Sequence, residues 1–322
     1  MKALSFFSLA AARALLLVPV ITLVADPGVL TAQQGTGVLT RYDLAGKPTR
    51  EVALAAELGE ISGLAFSADG RLFAHGDETG MVWQLDPATG AIIKRFALAD
   101  TGSVRADAAD ELQKTSRKQR KRRRQERRDK IVRADFEDIQ VVNGRVWLLA
   151  SDGVLYESAE GPDGAHVPYV RHDLKLEDKC EFEGLTTDEA QRALLLLCKV
   201  PHTDAWLGKV TVVAFDLASG RLEPKPRLVV PYKRLAGPTG VSKFHGSAFA
   251  LAPGGQSYVL IAGPQRTFAE VALDGRVLSG GALDRASHRQ PEGIAFASNG
   301  TILISDEAAG KQATIAWYAP RR

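Results

Sequence analysis

The chain has 322 residues, 45% apolar and 25% charged, with 41 Lys or Arg against 38 Asp or Glu. These values exclude a globally disordered chain and fit a globular protein able to bury a core, as one large domain or two smaller ones. The net charge of +3 misleads, because residues 114–130 hold 11 of the bases and only two acids; outside that run 30 bases face 36 acids, so the body is mildly acidic.

In chain order, the first element is an address. Lys2 and Arg13 flank a short polar start, and "ALLLVPVITLVA" (14–25) is a 12-residue apolar run. A membrane span needs about 20 residues, whereas a signal-peptide core is shorter. Residues 1–32 are therefore expected to be a signal peptide, cleaved after Ala25 or Ala32, with an uncleaved N-terminal membrane anchor as the alternative. Either way the folded part is exported, periplasmic or secreted.

A repeat follows. "SGLAFSADG" (62–70), "EDIQVVNG" (137–144), "EGLTTDEAQ" (183–191), "SAFALAPGG" (247–255) and "EGIAFASNG" (292–300) share a small or acidic first residue and alternating apolar positions. All but the third end on a turn glycine. A second strand follows each copy, such as "RLFAHGDE" (71–78) or "TILISDE" (301–307), then a third, such as "MVWQLDPATG" (81–90). A fourth, such as "AIIKRFAL" (91–98), completes most units. Asn299-Gly300 is a hairpin-turn signal, since both residue types tolerate positive φ. Units of four short antiparallel strands repeated about one axis make a β-propeller. The count is five blades, or six if residues 37–55 seed their own. The last unit has no fourth strand, so strands from 37–55 are expected to close the ring and remove an open edge.

Between units one and two lies a basic insert, residues 101–133, centred on Arg120, Lys121, Arg122, Arg123 and Arg124. Its composition favours helix but offers too few apolar positions to pack. The plainest reading is a solvated arm. Its functional readings are an arm for anionic surfaces, such as an acidic membrane or polyanionic glycan, or a lid over the neighbouring mouth. Nucleic acid is not an expected partner, because no aromatic residue interrupts the run to stack bases.

Cys180 and Cys198 sit on the two arms of one hairpin that turns around Asp188–Gln191. Cross-strand neighbours fall within disulfide range, and in an oxidising compartment a bridge is expected, two buried thiols being the alternative.

The series "ISGLAF", "FEGLTT", "HGSAFAL", "HRQPEGIAF" and "ISDE" resembles the SdiA-regulated, calcium-regulated periplasmic β-propeller family over most of residues 37–320. The resemblance implies an exported propeller with a link to calcium. More distantly the chain is similar to gluconolactonase-like and phytase-like propellers, but it has no one-to-one match to their metal ligands, and none is carried over.

In a propeller the first strand of each blade lines the channel, and a hairpin returns the end of the second strand to the same face. Glu137, Glu183 and Glu292 stand at the entrance of three units, Ser62 and Ser247 at the other two. Glu60 and Asp138 lie beside that position. Asp77, Glu78, Asp152, Asp306 and Glu307 stand at the exits, with Lys199 at the third and His245 near the mouth. Clustered carboxylates either stay protonated or are balanced by a cation. Calcium takes six to eight oxygens at about 2.3–2.6 Å, so Glu137, Asp138, Glu183, Glu292, Asp306 and Glu307 form a candidate calcium set. Zinc fits less well, because the six histidines show no ligand spacing. The alternative without metal has the entrance acids bonding backbone N–H groups of neighbouring blades, with Lys199, Arg266 or Arg289 neutralising the ring. The expected role is binding or scaffolding, of a small molecule or protein at the mouth. A metal-dependent hydrolase of an ester, lactone or phosphoester is the alternative, although no nucleophile elbow or phosphate loop is present.

Overall fold

A computed structural model describes residues 37–100, 130–188 and 190–321. The leader and the Arg120, Lys121, Arg122, Arg123, Arg124 cluster lie outside those residues. After β1 (Arg50–Ala53), blade one comprises β2 (Ile61–Phe66), β3 (Leu72–Gly76), β4 (Met81–Leu85) and β5 (Ile92–Leu98). Blade two is β6 (Phe136–Val142), β7 (Arg145–Ala150), β8 (Leu155–Ala159) and β10 (Tyr169–His172). The two-residue β9 (His166–Val167) leaves its own blade and pairs in parallel with β5. Blade three is β11 (Cys180–Thr187), β12 (Ala193–Pro201) and β13 (Lys209–Asp216). Its fourth position is shared by β14 (Arg221–Leu222) and β15 (Leu228–Pro231), which pair with opposite ends of β13. The helix α1 (Tyr232–Thr239) then leads to blade four, β16 (Ala248–Leu251), β17 (Ser257–Ala262), β18 (Thr267–Ala272) and β19 (Val277–Ala282). Blade five is β20 (Pro291–Phe296), β21 (Ile302–Asp306) and β22 (Thr314–Tyr318), completed by β1.

The innermost strands β2, β6, β11, β16 and β20 neighbour one another in that order, and β20 returns to β2, so the ring is closed with five blades. Each strand alternates its side chains between two blade faces, and both faces are apolar. Burial is accordingly divided into five slabs, one at each blade junction. Phe73 and Val82 of blade one meet Ile139 and Leu148 of blade two. Leu149 and Leu155 meet Phe182 and Leu196 across the next junction, and the pattern continues through the remaining three.

The hairpin turns differ in detail from the pattern expected of Asn-Gly. Asn143 and Gly144 both have positive φ, at 53° and 71°. At the corresponding turn in blade five only Gly300 does, at 82°. There Gly300 N–H bonds the Ala297 carbonyl at 2.8 Å, and the Asn299 side chain accepts from Thr301 N–H at 2.9 Å. The extra residues of that turn need just one left-handed position.

Ring closure has two parts. β1 pairs with β22 from Arg50 opposite Trp317 to Ala53 opposite Thr314. Upstream, the fully buried Glu270 of blade four accepts hydrogen bonds from Val38 N–H (2.7 Å), Leu39 N–H (2.8 Å) and the Ser257 hydroxyl (2.6 Å). Residues 37–53 thus span blades four and five. The substitution Glu270→Ala strands those buried donors and should cost on the order of 2–3 kcal/mol in urea unfolding. A loss below about 0.5 kcal/mol, the scale of a surface change, would show that this attachment does not hold the ring.

Candidate functional site

Pairing registers explain how the entrance residues come to face the channel. In blade one Ile61 pairs with Gly76 and Gly63 with His75, leaving Ser62 as an extra residue. The same bulge leaves Glu137 extra in blade two, Glu183 in blade three and Glu292 in blade five. A bulge re-aims a side chain that regular alternation would turn into a blade junction. In three of the blades the residue after it is glycine, because the inner strands approach closely there. A Cβ on Gly184 would stand 2.6 Å from Phe249 Cβ, and one on Gly293 would collide with the Ser305 hydroxyl and lie 3.1 Å from Leu64 N.

Blade three carries a second bulge on the partner strand. Glu181 pairs with Val200 and Phe182 with Cys198, so Lys199 is extra on β12 as Glu183 is on β11. The two extra residues meet: Lys199 Nζ is ion-paired with Glu183 Oε1, and lies 3.9 Å from Glu181. The second oxygen of Glu183, Oε2, is buried and has no hydrogen-bond partner among the described residues. Cys180 and Cys198 flank this pair and form a disulfide with Cα atoms 5.8 Å apart. They are diagonal rather than directly opposed, Cys180 facing Pro201, because of the bulges between them.

The mouth is electrostatically coupled across blades. Burial pushes the Glu137 carboxyl up to about 8, helped by Asp135, while the Lys199 ammonium pulls it down and Glu292 adds to the rise. Burial likewise raises Glu292 to about 7 against the opposing pull of Lys199. Glu307 is raised to about 7 by burial, then by a hydrogen bond with Glu60 and by the charges of Glu60, Glu292 and Asp77. Asp77 is itself raised by burial and by Glu60 and Glu78. His245 is held below its ordinary value by burial and by Lys243 and Lys199.

The six carboxylates proposed as calcium ligands do not form one set. Glu183 is paired with Lys199, Glu137 and Glu292 feel the charge of the same ammonium without pairing with it, and Glu307 feels the charge of Glu292. Asp138 is engaged on both oxygens by protein donors, Ile139 N–H at 2.8 Å and Leu185 N–H of the next blade at 2.6 Å. It replaces the glycine found after the bulge in three other blades and ties blade two to blade three. Its carboxyl is raised well above the ordinary range by burial, despite those two bonds. Asp306 is also engaged on both oxygens, by His288 at 2.6 Å and by Gln290 N–H at 3.0 Å, with His288 bonded in turn to the Tyr318 hydroxyl at 2.7 Å. Among the described residues, no three His, Cys, Asp or Glu side chains stand close enough to hold one metal ion as they are arranged.

On the rim, Glu78 is exposed and paired with Arg133 at 3.0 Å, and Asp152 is exposed and caps its own turn at Val154 N–H. The Ser247 hydroxyl donates to the Pro291 carbonyl at 2.9 Å and accepts from Gly263 N–H at 3.0 Å, a junction between blades four and five. Sequence reasoning missed Asp135 and Glu181, although "DFE" and "EFE" place an acid two residues before Glu137 and Glu183. It also missed His75, which is fully buried beside Gly63 and Asp138 and which burial lowers to about 4 against the pull of the Gly76 and Glu137 backbone. No spacing signal marked it.

No family model matches the chain, and no curated protein matches it. Solved structures do. The glutaminyl cyclase of Myxococcus xanthus superposes with a TM-score of 0.53 at 13% identity, covering 84% of this chain and 94% of its own. The PQQ-bound aldose sugar dehydrogenase of Streptomyces coelicolor superposes with a TM-score of 0.50 at 12% identity, covering 84% and 97%. The chain has a propeller fold. At such identities the likeness concerns the fold alone.

A raised carboxyl binds its proton more tightly folded than unfolded. Stability from Glu137, Glu292 and Glu307 is therefore full below about pH 4.5 and is lost as pH rises toward 7–8. Glu137→Gln should raise stability at pH 8.5 by on the order of 1–2 kcal/mol and leave it unchanged at pH 5. Thermal melts at the two pH values check this; a variant equally stable with wild type at both would show that Glu137 is solvated.

Proposed function

We propose that the protein is a ligand-binding propeller whose acidic channel mouth takes a cation, with calcium the first candidate. One observation supports this above the rest: three glutamates from three blades are the extra residues of bulges and feel or pair with one ammonium, Lys199, and one buried carboxylate oxygen, Glu183 Oε2, has no hydrogen-bond partner among the described residues. The donors are all hard oxygens, which suits calcium and not zinc. One positive charge does not balance Glu137, Glu183, Glu181 and Glu292 once they ionise. Glu137, Glu183 and Glu292 would hold the ion once their side chains move toward one another, and Glu307, whose carboxyl already feels the charge of Glu292, is the next candidate ligand. When bound, such an ion neutralises the ring and cross-links blades two, three and five through side chains far apart in the chain.

Export fits this reading. The Cys180–Cys198 bridge is the kind that persists in an oxidising compartment. The hydrolase alternative gains nothing from the serine at the fourth entrance, since both hydrogen-bonding capacities of Ser247 are engaged.

Isothermal titration with calcium at pH 8, alongside thermal melting, tests the proposal. Saturable heat and a rise in Tm are expected, both abolished in the double variant Glu137→Gln, Glu292→Gln. An absence of heat and of any shift at millimolar calcium overturns it.

A further inference from the structure

We infer that Lys199 is a tethered competitor at this site: its ammonium holds Glu183, and an incoming divalent cation binds by displacing it. The inference rests on the reading of the mouth as a cation site and adds how that site is gated. Lys199 and Glu183 are the two extra residues of a doubly bulged hairpin, so both side chains are re-aimed toward the same point. The Cys180–Cys198 disulfide lies directly behind them and fixes the backbone from which each arises.

Exposure decides which partner moves. The Glu183 side chain is 6% exposed and Lys199 22%. A flexible four-carbon stem reaching solvent can swing outward, whereas a carboxylate enclosed by the inner strands cannot. The ammonium pairs with Oε1 of Glu183, and among the described residues Oε2 has no partner. A calcium ion, which accepts bidentate carboxylates, would use both. The groups facing Lys199 are Glu181 and Glu183 of its own blade, Glu137 of blade two, Glu292 of blade five and His245 before blade four.

A selectivity follows. A monovalent ion carries the same charge as the ammonium but lacks its covalent tether, which holds the ammonium beside Glu183 without an association step. Sodium or potassium therefore gains nothing by exchange. A divalent ion gains a charge against several carboxylates, so the site discriminates by charge before it discriminates by size.

The test is calcium titration of wild type, Lys199→Met and Lys199→Arg, each folded by its melting curve, at fixed ionic strength and pH 8. Removing the charge should tighten calcium binding at least tenfold, while the charge-retaining arginine stays within about threefold of wild type. Sodium at 100 mM should not displace calcium from wild type. Calcium heat that is equal in wild type and Lys199→Met overturns the competitor while leaving the cation site standing. No heat in any protein overturns both. Should Lys199→Met fail to fold, reductive ¹³C-methylation of the wild type gives a second reading. The Lys199 resonance, assigned by its absence in Lys199→Arg, should move toward the solvent-exposed position as calcium is added. A resonance that stays fixed while calcium heat is measured overturns the inference.

Discussion

The β-bulge at the entrance of the inner strand is the constraint on which this molecule's mouth depends. A regular strand lining the channel would send successive side chains into the two blade junctions, which are apolar slabs. One extra residue breaks that alternation locally and leaves a side chain free to point along the axis. Four blades use the device at the same place, with Ser62, Glu137, Glu183 and Glu292 as the extra residues. The glycine that follows in three of them is part of it, since the displaced strands nearly touch at Gly184 and Gly293.

Gathering carboxyls in this way is unfavourable by itself. Desolvation is the first cause of the shift at Glu137, Glu292 and Glu307 alike, and neighbouring acids add to it. A single ammonium opposes the effect at two of them, and it belongs to a residue ion-paired elsewhere. Protonation is one relief for such crowding and a nearby cation is the other. A core built only for stability would have left these positions uncharged, as the same propeller does with Ser247 of blade four.

Much of the fold was legible. Recurring period-2 segments with turn residues at fixed offsets report a repeated sheet, and five copies gave five blades. The orphan strand at one end and the incomplete unit at the other reported closure. Other features leave no such trace. Periodicity tells which face a residue occupies only while the ladder is regular, and nothing in "FEGL" or "QPEG" says that an extra residue interrupts it. The exchange of β9 into blade one depends on long-range pairing rather than local pattern, and the helix α1 is obscured in sequence by Gly237 and Pro238 in its last turn. Entrance and exit acids looked equivalent in sequence, yet Asp138 and Asp306 are engaged by Leu185 N–H and by His288. Their partners lie in the next blade or in a preceding loop, where spacing along the strand carries no information.

The disulfide acquires a reason from the same geometry. Two bulges on opposite strands remove ladder bonds within three residues of each other, and a hairpin weakened there could slip or splay at the rim. Register is otherwise held by the buried run Leu194–Leu197 further down β12. A covalent tie between Cys180 and Cys198 spans the defect diagonally, so the pairing lost to the bulges is replaced where it is lost. That placement leaves Glu183 and Lys199 with displaced side chains on a fixed backbone. Rigidity at the origin and freedom at the tip is the arrangement a gated charge requires, and a regular hairpin without bulges would need no such tie at this point.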